Sequence, residues 1–237
     1  DKFANKILKM DKRTNTRKIR ADFHMHTSFS YDCLTTPKQL VARCNSVGLE
    51  CIAVTDHNSI RGALEVALLA QFKVIIASEI RSTGGEITGL FLTEDIPAGL
   101  TPLETVKRIR DQGGIVSIPH PYDGVRRSVI AQDALETILP LADMIEVFNA
   151  RNARPSSNSK AAETANRYDL LATAVSDAHH PRELGQTYTQ MNEFDGTPEQ
   201  FKRALMGADL ITHPASHLVH LNSTYAKIVK KLPFIGK

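Results

Sequence analysis

The chain has 237 residues, of which 42% are hydrophobic and 23% charged, a composition typical of a folded globular protein and not of a disordered or fibrous one. Residues 1–20 carry a net charge of +6 and residues 221–237 carry +4, so the total of +3 leaves −7 for residues 21–220. An acidic middle suits cation binding and argues against a broad nucleic-acid-binding face.

Cysteine spacing and hydropathy indicate a cytoplasmic protein. Cys33, Cys44 and Cys51 are an odd number without Cys-x-x-Cys spacing, which indicates reduced, packed thiols. No apolar run approaches the length of about 18 residues that a membrane span needs, and Lys and Arg interrupt the N-terminal apolar residues too often for a signal peptide. We therefore expect no membrane span, and nothing in the sequence indicates the oligomeric state.

Short runs of apolar and β-branched residues alternate with segments of helical spacing. In chain order, strands are predicted at residues 19–23, 51–55, 74–78, 86–92, 115–118, 144–148, 171–175 and 209–212. Helices are predicted at residues 37–47, 60–70, 102–112, 131–139, 159–168 and 198–206. Three of the helices have a capping threonine before a proline, namely Thr36, Thr101 and Thr197. The alternation predicts parallel strands with crossover helices, in a doubly wound sheet or a β/α barrel.

Two further segments carry turn and loop signals. Gly84 and Gly85 precede a predicted strand and are expected to form a hairpin turn. Residues 150–159 are rich in Arg, Asn, Ser and Pro without apolar periodicity, which predicts an ordered surface loop.

Metal-binding residue types follow almost every predicted strand. They are His24, His26, Asp32, Asp56, His57, Glu79, His120, Asn149, Asp177 and His179. Because the carboxyl ends of parallel strands lie on one face of such folds, we expect these side chains to converge. Burying so many ionisable groups together would be costly unless divalent cations compensated them. Nitrogen and oxygen donors without thiolate favour Zn, Mn or Fe, with Mg as a further candidate.

The same residues carry a family resemblance. Asp22-Phe23-His24-Met25-His26-Thr27, Thr55-Asp56-His57-Asn58, Glu79, Pro119-His120-Pro121 and Ser176-Asp177-Ala178-His179 resemble, in order, the signature motifs of the PHP (polymerase and histidinol phosphatase) family. The resemblance implies a distorted seven-stranded, TIM-like β/α barrel with metal ions at its C-terminal mouth. Together with the basic charge of both ends, it predicts a basic N-terminal extension (1–20), a PHP barrel domain (21–220) and a basic C-terminal tail (221–237).

The resemblance also implies a ligand set for up to three ions. One ion would be held by four side chains, His24, His26, Glu79 and Asp177. Glu79 would bridge to a second ion, held by His120 and Asn149, and a third would be held by Asp32, His57 and His179. Asp32 and Asn149 stand where many members have His, and His or Cys, respectively. A neutral amide is a weak ligand, so two ions remain an alternative to three.

The chemistry that follows is hydrolysis of a phosphate ester by a metal-bound hydroxide. Glu79 and Asp177 would organise the ions, and His179 or the third ion would stabilise the leaving group. Asp56 either orients a ligand histidine or caps the following helix, and the sequence favours neither. Four arginines that follow strand ends are expected to contact the phosphate, namely Arg126, Arg127, Arg151 and Arg154.

A small phosphorylated substrate, such as a nucleotide or a sugar phosphate, is favoured because the barrel occupies nearly the whole chain. The alternative is a nuclease or phosphatase acting on the 5' or 3' end of a nucleic acid, which the basic termini favour. A non-catalytic PHP module and hydrolysis of a C–N bond are further alternatives. The first would be expected to lose ligands, and the second lacks an obvious bridging lysine.

Overall fold

The alternation of strands and helices is present in a computed structural model, which describes residues 17–216 and 218–231. In this part of the chain the strands are β1 (Lys18–Asp22), β2 (Cys51–Val54), β3 (Lys73–Ser82), β4 (Gly85–Leu90), β5 (Ile115–Ile118), β6 (Met144–Asn149), β7 (Leu171–Val175), β8 (Tyr188–Asn192) and β9 (Asp209–Ile211). The α-helices are α1 (Pro37–Val47), α2 (Arg61–Leu69), α3 (Pro102–Asp111), α4 (Gln132–Ile138), α5 (Pro155–Tyr168), α6 (Pro198–Leu205) and α7 (Val219–Lys231). Thr36, Thr101 and Thr197 cap α1, α3 and α6 as predicted.

The strands form one curled sheet in the order β7-β6-β5-β4-β3-β2-β1-β8-β9. Parallel pairing runs through β1, β2 and β3 and again through β5, β6 and β7. The sheet nearly closes where β7 meets β1, because Met25 and Ala178 form a parallel bridge and the Ser176 N–H donates to the Asp22 carboxylate at 3.1 Å. The α/β class is therefore as predicted, and the sheet has the shape of a barrel.

The seven-stranded count is wrong, since the described part of the chain contains nine strands. β4 pairs antiparallel with both neighbours, and β8 and β9 add two antiparallel strands at the β1 edge. β8 escapes sequence analysis because Met191 is its one buried apolar side chain, which gives no apolar run. The hairpin at Gly84 and Gly85 is present, and Gly85 has a φ of +124° that other residues rarely adopt.

Three predicted boundaries also change. Residues 155–158 belong to α5 and not to a loop, because Pro155 starts the helix and the buried Ser157 hydroxyl donates to the Tyr122 carbonyl at 2.8 Å. The described part of the predicted C-terminal tail, residues 221–231, lies entirely in α7, which buries Ser223 and Ala226. The predicted N-terminal extension ends inside β1, because Lys18 already pairs with Asn192. Residues 1–16 and 232–237 of the predicted extension and tail lie outside the described residues.

Apolar side chains fill one end of the barrel and leave the other to polar groups. One buried cluster takes side chains from every strand between β1 and β8, and Phe201 of α6 packs edge-on against Phe23 within it. The C-terminal strand ends are consequently the place where polar side chains gather. Among the helices of the described part, none combines the length and apolar character needed to cross a membrane.

Candidate metal centre

The strand ends bring eight predicted ligands together in what we call the metal centre: His24, His26, Asp32, His57, Glu79, His120, Asp177 and His179. All are buried apart from His57, which is partly exposed. Two of them lie on strained backbone, since His120 has a φ of +26° and Asp177 a φ of +53°. Non-glycine residues in this region cluster at functional sites.

Four donors surround the first predicted ion site. The Nε2 atom of His24 lies 3.1 Å from Nε2 of His26. It lies 3.5 Å from a Glu79 oxygen and 3.6 Å from Asp177 Oδ1. Nε2 of His26 is likewise 3.6 Å from both carboxylates. Atoms that share one ion at about 2.1 Å lie at such mutual distances.

Three ring nitrogens on the far side of the imidazoles are held by other groups. Nδ1 of His24 contacts Glu146 Oε1 at 2.6 Å, and Nδ1 of His26 contacts the Ser30 hydroxyl at 3.0 Å. Nδ1 of His179 contacts the Asp177 carbonyl at 2.9 Å. A proton on each Nδ1 satisfies these contacts and leaves Nε2 free to donate a lone pair to a cation.

Asp32, His57 and His179 form the third predicted site. Asp32 Oδ1 lies 3.3 Å from His57 Nε2 and 3.4 Å from His179 Nε2. Asp32 Oδ1, His57 Nε2 and Asp177 Oδ1 are buried without a hydrogen-bond partner among the described residues. Buried polar atoms are otherwise almost always paired, so these donors fit divalent ions.

Electrostatics keep the carboxylates ionised. Burial favours the neutral acid, but His24 and His120 lower the pKa of Glu79 well below its usual value. Burial opposes ionisation of Asp177 as well, and Arg126 is the main group that lowers its pKa. For His179, burial and the charges of His26 and Arg151 lower the pKa to about 3, which keeps the ring neutral.

Asp56 supports the metal centre through hydrogen bonds to neighbouring residues. Its buried carboxylate accepts hydrogen bonds from the Thr27 N–H at 2.7 Å and the Ser30 hydroxyl at 2.6 Å. Ser30 in turn contacts His26, so Asp56 reaches a predicted ligand through one hydroxyl. The helix-cap alternative is wrong, because α2 has Ile60 at its N-cap position and no side-chain cap.

The side-chain amide of Asn149 is not oriented as that of a metal ligand would be. Its Nδ2 donates to Glu146 at 2.9 Å and to Asp177 at 3.1 Å, and its Oδ1 accepts from the Arg151 N–H at 2.9 Å. The amide therefore braces two carboxylates.

A cavity of about 540 Å³ lies over the metal centre, and Asp32, His57 and His179 line it. Its cationic wall, as we name it, consists of Arg81, Arg126, Arg127 and Lys227. Arg126 pairs with Asp177 and donates to Asp123 at 2.9 Å. Arg127 is exposed on the wall. Lys227 of α7 is 3.5 Å from Asp32.

The two remaining predicted arginines, Arg151 and Arg154, differ in their relation to the cavity. Arg151 lines the cavity but is 3% exposed, and its guanidinium donates to the Val219 carbonyl at 3.3 Å and the Ser223 hydroxyl at 2.7 Å on α7. It anchors a helix in addition to facing the cavity. Arg154 is exposed just before α5 and does not belong to the residues that line the cavity.

Sequence analysis missed Glu86, Glu146 and Lys227. The signal for Glu146 was present, because a glutamate inside an apolar strand requires a buried partner. Lys227 carries no comparable signal, since its place depends on how α7 packs across the mouth.

Comparisons with known proteins agree with these features. A family model described as PHP-associated (PHP_C) matches residues 155–207. Two uncharacterized proteins of Methanocaldococcus jannaschii are 41% and 34% identical, over 56% and 79% of this chain and 82% and 79% of theirs. A 5'-3' exoribonuclease of Haemophilus influenzae is 28% identical over 44% of this chain and 43% of its own.

Solved structures show the same fold at lower identity. A two-domain protein of Bacteroides vulgatus containing a PHP-like metal-dependent phosphoesterase superposes with a TM-score of 0.70 at 20% identity, over 84% of this chain and 66% of that one. Endonuclease Q, bound to a 27-mer duplex with an abasic lesion, superposes with a TM-score of 0.57 at 14% identity, over 82% of this chain and 58% of that one. The chain therefore has the fold of a PHP-like phosphoesterase, and its residues 155–207 match the PHP-associated family model.

Proposed function

We propose that this chain hydrolyses phosphate esters of small molecules, such as a nucleotide or a sugar phosphate. One observation carries the proposal: metal-binding donors and the cationic wall face each other across one cavity of about 540 Å³. Cavities of about 300–1,000 Å³ suit ligands of this size. Positive side chains above a cation-binding site favour an anionic substrate.

The donors divide into three predicted ion sites. His24, His26, Glu79 and Asp177 would hold one ion, and Asp32, His57 and His179 another. Glu79 and His120, whose Oε1 and Nε2 atoms are 2.8 Å apart, would contribute to a site between them. Bound divalent ions would neutralise phosphate oxygens and lower the pKa of a nearby water.

The residues of the chain position the substrate and restrict its movement. Arg126 lies on the wall beside Asp177, where its planar guanidinium is suited to two parallel hydrogen bonds with a phosphate. Burial lowers the pKa of His179 to about 3, and its Nε2 lies 3.4 Å from Asp32 Oδ1, which supports a role as a lone-pair donor to an ion. His220, Ser223 and Lys227 of α7 limit the width of the cavity.

Cleavage at the end of a nucleic acid is the second candidate. The likeness to an exoribonuclease supports it, as does the fold shared with endonuclease Q. Arg81 and Arg127 are exposed at the cavity edge, where they are accessible to further phosphates of a strand. A non-catalytic module is less well supported, because the eight ligands of the metal centre are retained.

The test is an activity screen of metal-free protein loaded separately with Mn, Zn, Fe or Mg. We expect phosphate release from mononucleotides or sugar phosphates to exceed cleavage of end-labelled oligonucleotides. Glu79→Gln should lose bound metal and lower kcat by about 100-fold or more. Glu163→Gln, on the exposed face of α5, is the matched control and should match the wild type. Full metal content and full activity in Glu79→Gln would refute the proposed centre.

A further inference from the structure

Glu86 is a buried carboxylate at the mouth that the predicted ligand set omits. It is 4% exposed and is the second residue of β4, next to the hairpin turn. Because β4 runs antiparallel to β3, the start of β4 lies at the same end of the barrel as the C-terminal end of β3. Arg81 of β3 pairs with Glu86, and Glu79 lies two residues earlier on the same face.

The carboxylate of Glu86 faces two histidines of the metal centre. Its Oε1 lies 3.9 Å from His57 Nδ1, and its Oε2 lies 3.9 Å from His120 Nε2. His57, Glu79 and Glu86 offer ligand atoms that all lie within 4.8 Å of one another. Ligands that share one ion at about 2.1 Å lie up to about 4.2 Å apart, so the two 3.9 Å distances from Glu86 are compatible with a common cation.

Asn149 was the predicted third ligand of the ion site formed by Glu79 and His120, but its amide does not fill that role. Both ends of that amide are occupied, by Glu146, Asp177 and the Arg151 N–H. With the Asn149 amide occupied, Glu86 is a further carboxylate close to His120, and it lies on the strand adjacent to that of Glu79.

The negative charges of Glu79 and Glu86 also favour a cation between them. Two buried carboxylates on neighbouring strands repel each other and are costly to bury. Arg81 approaches Glu86 at 3.8 Å, but its side chain is 46% exposed, which weakens its effect. A divalent ion between Glu79 and Glu86 would remove the repulsion.

We propose that Glu86 is a metal ligand that completes, with Glu79 and His120, the second ion site in place of Asn149. The inference rests on the metal centre of the proposed function but not on the identity of the substrate. It assigns this site an oxygen-rich character, with two carboxylates and one imidazole, which suits Mn or Mg better than Zn.

Metal binding itself provides the test. Metal-free wild type and Glu86→Gln are titrated with Mn²⁺ by calorimetry, and bound metal is counted after dialysis. We expect Glu86→Gln to bind one ion fewer per chain, or to bind its weakest ion at least about 10-fold less tightly. Asp143→Asn is the matched control, because it removes a largely buried, arginine-paired carboxylate just before β6 at the opposite end of the barrel. It should bind Mn²⁺ like the wild type.

Two outcomes would overturn the inference. One is wild-type stoichiometry and affinity in Glu86→Gln, and the other is an equal loss in Asp143→Asn. If Glu86→Gln does not fold, Glu86→Asp keeps the charge on a shorter side chain and should bind more weakly than the wild type, whereas unchanged binding would refute the role. If Glu79→Gln loses metal but Glu86→Gln does not, the proposed function is retained and the role of Glu86 is refuted. If the protein is inactive on every phosphate ester, the proposed function fails but the metal-binding result for Glu86 remains valid.

Discussion

The metal centre and the cationic wall face the same cavity but differ in rigidity. In the metal centre, His24, His26 and His179 are buried, and each ring is fixed through Nδ1 by another group. On the wall, Arg81 and Lys227 are each 46% exposed and carry long side chains. Under the proposed function, the buried donors would determine the reaction, whereas the exposed cations would influence which anions bind.

Removal of metal is expected to have the largest effect. A chelator should abolish hydrolysis and lower Tm, because Asp32, Glu79 and Asp177 would remain buried without compensating cations. Phosphate release and calorimetric Tm are measured before chelation, after it, and after Mn²⁺ is restored. The chelator presaturated with the same ion is the control. An unchanged Tm would mean that the ion pairs alone stabilise the metal centre.

Arg151 connects the two regions, so its loss should destabilise the fold. In Arg151→Ala, Glu183 loses the guanidinium 3.6 Å away, and α7 loses its contacts at Val219 and Ser223. We expect the free energy of unfolding to fall by about 3–5 kcal/mol, measured by urea denaturation, with faster hydrogen exchange in α7. Arg154→Ala, at an exposed position, should change it by less than about 0.5 kcal/mol. Equal values would contradict the anchoring role.

Glu146 tests whether the rigidity of the metal centre matters for metal affinity. Glu146→Gln presents a neutral side chain to Nδ1 of His24, which weakens the 2.6 Å contact that fixes the ring. We expect Mn²⁺ affinity, measured by calorimetry, to fall about 10–100-fold. Glu136→Gln, exposed on α4, is the control. Equal affinities in the two variants would show that the ring orientation does not depend on Glu146.

Lys227 should show the smallest effect, because its side chain is 46% exposed and solvent weakens its electrostatic interactions. Lys227→Ala is expected to raise KM about 2–5-fold and to leave kcat nearly unchanged, as for a half-exposed cation that binds an anion. Lys231→Ala removes an exposed lysine that does not line the cavity and should leave KM unchanged. A fall in kcat larger than the rise in KM would give Lys227 a direct part in the reaction.

Much of the metal centre could be predicted from the sequence, because strand ends impose a regular order. His24, Glu79 and Asp177 each follow an apolar run, and parallel strands bring such positions to one face. Those three side chains therefore needed no long-range information to be placed at the mouth. The capped helices were equally accessible, since Thr-Pro pairs define helix starts locally.

Features that depend on distant packing could not be predicted in this way. Glu86 lies near the start of a strand, and the start of a strand reaches the mouth only when that strand is antiparallel. The contact between Arg151 and Ser223 spans 72 residues, so the C-terminal lysines resembled a solvated tail. Asn149 has a ligand's position, but the direction of its amide is set by Glu146 and Asp177.

The hairpin of β3 and β4 also has a consequence for the order of folding. Glu79 and Glu86 are seven positions apart, so the hairpin brings them together through local contacts, which form early at little cost in chain entropy. His24 and Glu146 are 122 positions apart and meet only when the ends of the sheet approach. An ion bound by the hairpin before the barrel closes would stabilise His24 when it reaches the site. Metal binding would then be coupled to closure of the barrel.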